Sequence, residues 1–160
     1  MSEAKTVTQT ELTEAIRMAI QDRATWFYLL IKEFQAVGYA TDEPVKKAIF
    51  KFGQMKGKKL GAVTTPEQFF DGIGTTNARL AFDMENHGVD ATKGAYRFHH
   101  CALVEAWKGL GASKEEIAHL CDLASCGDFG VISNFPELGL QFNQIIAKGD
   151  AFCELEVTRK

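Results

Sequence analysis

The residues with chemical reach are a small set of thiols, imidazoles, carboxylates and guanidinium groups. Four cysteines occur, at 101, 121, 126 and 153, and no two of them form a Cys-x-x-Cys pair. That spacing argues against a zinc ribbon, so no metal ligand set is assigned and no cofactor is called for. Cys101 follows an alternating segment and opens a helical one, and a thiol at a helix start has its thiolate favoured by the free N–H groups and the dipole. It reads either as a nucleophile or polar contact, with a histidine carrying the proton, or as a small buried hydrophobe. His100 directly precedes it and shares parity with Tyr96 and Phe98, which assigns His100 to the buried side and His99 to the opposite one. His100 is an acid–base candidate or a satisfied core residue. His87 and His119 read as exposed.

Asp128 lies in a stretch rich in Gly, Asn and Pro, GDFGVISNFPE over 127–137. It reads as a general base for water or as a turn residue bonding its own backbone. Asn134, in the same stretch, is either a hydrogen-bonding contact for a ligand or another turn residue. Arg23 falls between Ile16, Ile20, Phe27 and Leu30, so it sits within an apolar stripe. A buried guanidinium is costly without an anionic partner, hence either a substrate carboxylate or a protein carboxylate, unless its stem carries the charge outward. Cys121 shares an apolar helix face with Ile117 and Leu120, and Cys153 alternates with Leu155 and Val157. Both read as core residues that would line one pocket with Cys101 if the helices and the last strand meet.

These groups must be positioned by the elements around them. Residues 11–37 carry a helical stripe of Leu12, Ile16, Ile20, Phe27, Leu30, Ile31 and Phe34, with Thr8 and Glu11 spaced as a capping box and Gly38 as a stop. Thr41-Asp42-Glu43-Pro44 opens a second helix, and Thr65-Pro66-Glu67-Gln68 a short third one ending near Gly72 or Gly74. Over 78–87, Leu80, Phe82 and Met84 alternate with Arg79, Asp83 and Glu85, which predicts a strand. A turn over Gly88 to Gly94 and a second alternating run, Tyr96, Phe98 and His100, complete an antiparallel hairpin. A helix over about 101–111 follows. Ser113 with Glu116 starts another, expected to stop at Gly127. Two strands, about 138–147 and 151–158, finish the chain. The expectation is a single α+β domain over 1–160, with about five helices on one face of a mostly antiparallel four-stranded sheet.

The formal net charge is −3, from 18 basic and 21 acidic residues, which argues against broad nucleic-acid binding. The Lys56, Lys58, Lys59 run reads as a solvated helix end. No apolar run reaches the ~20 residues that span a bilayer, and residues 1–10 lack a signal-peptide apolar region. A cytoplasmic protein with reduced thiols is expected, with no membrane association and with homo-oligomerisation left open.

The last sixty or so residues have a specific order. Cys101 leads through a helix to Gly109-Leu110-Gly111, and the next helix reaches Leu120-Cys121-Asp122. Asp128, Asn134-Phe135-Pro136-Glu137-Leu138 and Gly149-Asp150-Ala151-Phe152-Cys153-Glu154 follow. This order resembles the L-2-amino-thiazoline-4-carboxylic acid hydrolase family. The resemblance implies a small-molecule substrate and hydrolytic opening of a cyclic isothiourea that bears a carboxylate. Such chemistry needs a cation for the carboxylate, an acid–base group near the amidine carbon and, in some mechanisms, a nucleophile. On this reading Arg23 or Arg97 holds the carboxylate, Asp128 or His100 manages the proton, and Cys101 attacks or polarises. Two alternatives stay open. One is a small-molecule-binding sensor of the vinyl-reductase type, which shares the terminal Gly-x-x-x-Cys-Glu-x-x-Val strand. The other is an isomerase or lyase on the same scaffold.

Overall fold

A computed structural model describes residues 6–160, in an α+β arrangement of six helices and one four-stranded sheet. Helix α1 spans Gln9–Ala36, and the Thr8–Glu11 capping box is formed in both directions. It ends at Val37, with Gly38 beyond at φ +83°. Helix α2 covers Asp42–Gly57 and α3 covers Pro66–Ile73, the latter capped by the Thr65 hydroxyl. Helix α4 covers Thr76–Phe82, α5 covers Ala102–Gly109 and α6 covers Lys114–Ile132. The strands are β1 Met84–Val89, β2 Lys93–Phe98, β3 Leu138–Gln144 and β4 Cys153–Arg159. They pair in the order β1-β2-β4-β3, every neighbour antiparallel.

Two expected elements differ. The strand predicted over 78–87 begins as a helix, which also makes six helices rather than five. Thr75 caps it through the Ala78 amide, and Arg79 Nε donates to the Gly74 carbonyl at 2.7 Å. Asp83 then stops it in the left-handed region at φ +49°, a conformation Asp tolerates better than most residues. A seven-residue helix shows too little period to be told from an alternating run.

The second difference is α6, which continues through Gly127 to Ile132. Gly127 and Gly130 do not break it, and Gly130 together with Gly53 of α2 serves the close packing of the two helices. A Cβ added at Gly53 would overlap the Gly127 carbonyl, and one at Gly130 would overlap that of Phe50. The missing side chains let two backbones touch.

Strand alternation divides the sheet into two faces. Tyr96, Leu155, Val157 and Leu138 point inward and pack with Phe69 and Phe70 of α3 and Ile132 of α6. The other face carries a polar ladder in which Arg97, Asn143, Gln141 and Lys93 bond Glu154 or Glu156. A second core joins Ala24 and Ile31 of α1, Val104 and Trp107 of α5, and Ile117, Leu120 and Leu123 of α6. The indole Nε1 of Trp107 donates to the Ala24 carbonyl at 3.1 Å, which satisfies its buried polar atom. Helix α6 contributes its first half to one core and its end to the other.

Candidate functional site

The site candidates lie along the junction of these two cores. Cys121 and Asp128 are seven residues apart on α6, two turns on one face, and Ile132 of the sheet-facing core lies one turn further. Cys101 is the N-cap residue of α5 and packs against the helical core, as does Cys121. Cys153 opens β4 opposite Phe98 of β2 and accepts the Ile146 amide at 3.3 Å. The Asp128 carboxylate lies close enough to add a small upward push to the pKa of Cys101, Cys121 and Cys153. The structure thus brings three predicted thiols and the predicted acid, from two helices and a strand, into one neighbourhood.

Burial sets the protonation of this cluster. Cys121 is pushed up to about 12 and Cys153 to about 11, in each case chiefly by loss of solvent. Cys101 is also raised. The Leu103 and Val104 amides at the start of α5 favour its thiolate, as the sequence suggested, but burial outweighs them. All three thiols are therefore neutral at physiological pH, and none is an activated nucleophile.

Asp128 behaves differently. Its residue surface stays open to water. The protein packed around it nevertheless raises its carboxyl to about 6, against a smaller opposing effect from Lys56. A carboxyl with a pKa near neutrality can both take and return a proton at working pH.

His100 lies just beyond β2, where the chain turns and its amide donates to the Phe82 carbonyl. Its Nε2 is buried and has no partner among the described residues. Loss of solvent, then the charge of Arg17, lowers its pKa, while Glu105 and Asp83 pull the other way. The ring is a neutral imidazole with one unused hydrogen-bonding atom. Leaving such an atom buried costs about 1–3 kcal/mol, so it points to a ligand or a function. His99 turns outward and binds Glu85 at 2.9 Å.

Arg17 is the functional candidate that sequence reasoning missed. Its Nε donates to the Ala81 carbonyl at 3.0 Å and Nη2 to that of Leu80 at 3.4 Å, which anchors α1 to α4. A guanidinium has five N–H donors, so most remain for other partners. The signal lay in the seven-residue spacing of Arg17, Ala24 and Ile31, since the latter two are the buried residues of α1.

Arg23, in contrast, is exposed: of the expected stripe Ile31 is buried and Ile16, Ile20 and Phe27 are half-buried, but the stripe is centred on Arg17, Ala24 and Ile31, and Arg23 lies outside it. Arg97 is on the outer sheet face, paired with Glu154 at 2.8 Å and stacked over Phe152 at 4.5 Å. Asn134 follows α6 and ties it to α2, its Nδ2 donating to the carbonyls of Gln54, Gly130 and Val131. Neither Arg97 nor Asn134 is brought to the thiol cluster. Two open concavities lie elsewhere. One of about 590 Å³ is beside His87 and Glu154, and one of about 410 Å³ is between α2 and Cys126. Among the described residues no group of three His, Cys, Asp or Glu is arranged to hold a metal, and no helix is long and apolar enough to cross a membrane.

The family model for L-2-amino-thiazoline-4-carboxylic acid hydrolase matches residues 17–157, and the chain belongs to that family. No curated protein matches the chain.

Proposed function

We propose that the protein hydrolyses a carbon–nitrogen bond of a small cyclic amidine or isothiourea carboxylic acid, opening a thiazoline-type ring. The match of residues 17–157 to the hydrolase family model carries this reading, and an Asp128 carboxyl raised to about 6, near three neutral thiols, supports it. Asp128 takes a proton from water as the water oxygen bonds to the amidine carbon. It returns that proton to the ring nitrogen as the carbon–nitrogen double bond becomes single, and the adduct's hydroxyl proton then passes through Asp128 to the same nitrogen as the carbonyl forms and the remaining carbon–nitrogen bond breaks. Asp128 ends as it began, and one water is consumed.

The remaining roles follow from burial and free hydrogen-bonding capacity. Arg17 supplies unused N–H groups for the substrate carboxylate, and neutral His100 offers its vacant Nε2 to a polar substrate atom. Cys101, Cys121 and Cys153 act as a compact, weakly polar wall, not as attacking thiolates.

A second reading rests on the same neutral thiols: a vinyl-reductase-type binding domain, or an isomerase or lyase on this scaffold, needs no activated nucleophile. The test is incubation with L-2-amino-thiazoline-4-carboxylic acid, with the product followed by mass. Turnover with gain of one water, reduced roughly 10²–10⁴-fold in Asp128→Asn, supports the hydrolase. Saturable binding without turnover favours the sensor, and an isomer of unchanged mass favours the third chemistry.

A further inference from the structure

Helix α1 is apolar on two sides. One side is buried through Ala24 and Ile31. The other side leaves large side chains in water: Trp26 is 74% exposed, Val37 69%, Met18 63%, Leu30 56% and Phe34 52%. With Leu29 these side chains expose on the order of 800 Å² per copy, spread over nearly half the helix circumference with Trp26, Leu30 and Val37 at its centre, and about 800 Å² is what one partner contributes to a standard protein interface.

The spacing on that side is as informative as the area. Ala19, Arg23, Trp26, Leu30, Glu33 and Val37 succeed one another at alternating steps of four and three, the seam of a coiled coil. The seam is symmetric about the level of Tyr28. Placed against a second copy running the opposite way, Ala19 meets Val37, Trp26 meets Leu30, and Arg23 meets Glu33, each pairing occurring twice. A parallel arrangement would instead set Arg23 beside Arg23 and Glu33 beside Glu33. Among the described residues neither Arg23 nor Glu33 has an ion-pair partner within the chain, since the pairs on this helix involve Lys32.

We infer that the exposed face of α1 is the interface of an antiparallel homodimer, with reciprocal Arg23–Glu33 pairs fixing its register. The occupant is a second copy of this chain because the stripe is complementary to itself, charge as well as shape, only about a two-fold axis. The inference is independent of the chemistry proposed for Asp128, which lies on α6.

Sedimentation velocity on the full chain over a range of concentrations tests it. The expected result is a dimer of the 17.7 kDa chain at micromolar concentration. Arg23→Glu is expected to weaken dimerisation at least tenfold, and Arg23→Glu combined with Glu33→Arg to restore it. Circular dichroism of each variant checks that these exposed substitutions leave the fold intact. A wild-type monomer at tens of micromolar would overturn the inference. So would a dimer indifferent to Arg23→Glu and to Trp26→Asp, or a double variant no tighter than the single one.

Discussion

Replacing Asp128 with asparagine is expected to stabilise the protein at neutral pH while disabling its chemistry. Folding raises the Asp128 carboxyl from 3.8 to about 6. The folded state therefore holds this proton more tightly than the unfolded chain does. The contribution favours folding fully below pH 4 and is lost as pH rises through about 6. Taken at face value, a shift of about two units corresponds to roughly 3 kcal/mol. Asp128 is open to water, however, and solvent screening reduces this to about 1 kcal/mol. Asparagine has nearly the same shape and never ionises. Asp128→Asn should thus match the wild type at pH 4 and exceed it by about 1 kcal/mol at pH 7.5, about 2–4 °C in Tm for a chain of this length. Paired thermal or urea unfolding at the two pH values measures the difference, and other carboxylates cancel in the comparison. If the variant is less stable at pH 7.5 than at pH 4 relative to wild type, a cation such as Lys56 is stabilising the Asp128 charge, and the reasoning from burial is refuted.

Other outcomes follow from the same geometry. Arg17→Gln should raise KM for the thiazoline acid at least tenfold with a smaller effect on kcat; a loss of Tm without a change in KM would limit Arg17 to anchoring α4. Iodoacetamide at pH 7.5 should label Cys101, Cys121 and Cys153 slowly in the folded protein and rapidly in denaturant, as read by peptide mass. Rapid labelling of native Cys101 would reinstate it as a nucleophile. Gly53→Ala and Gly130→Ala should each destabilise by about 3 kcal/mol or prevent folding, because the added Cβ meets backbone rather than a movable side chain. Unfolding free energies near wild type would disprove the close α2–α6 contact.

Local signals were legible in the sequence because their chemistry is local. The capping boxes of Thr8 with Glu11 and Ser113 with Glu116, and the Thr65-Pro66 start, are formed as read. The second hairpin strand and the terminal strands also follow from alternation, whereas the Leu80–Phe82 part of the first run is helix. What failed had two equally good local readings. Helix α1 carries apolar side chains around most of its circumference, so its sequence gives the inward Ile16, Ile20, Phe27 and Ile31 but not the stripe's centre, which runs through Arg17 and Ala24 and leaves Arg23 outside. Gly127 looks like a helix stop to anyone who cannot see the α2 backbone pressed against it. Cys101 at a helix start suggested a thiolate, yet the pKa depends on burial by distant segments. The meeting of Cys101, Cys121 and Cys153 is legible in the sequence only as a condition, since it depends on how α5, α6 and β4 pack.

Asp128 is held to exchange its proton near neutrality because the protein packed around its carboxyl disfavours the charged form. Carbon-13 NMR of the protein labelled at aspartate carboxyls measures this directly, with Asp128→Asn identifying the resonance. A midpoint near pH 6 is expected, and a midpoint near 4 would contradict the account and leave no proton carrier of the proposed kind at the site.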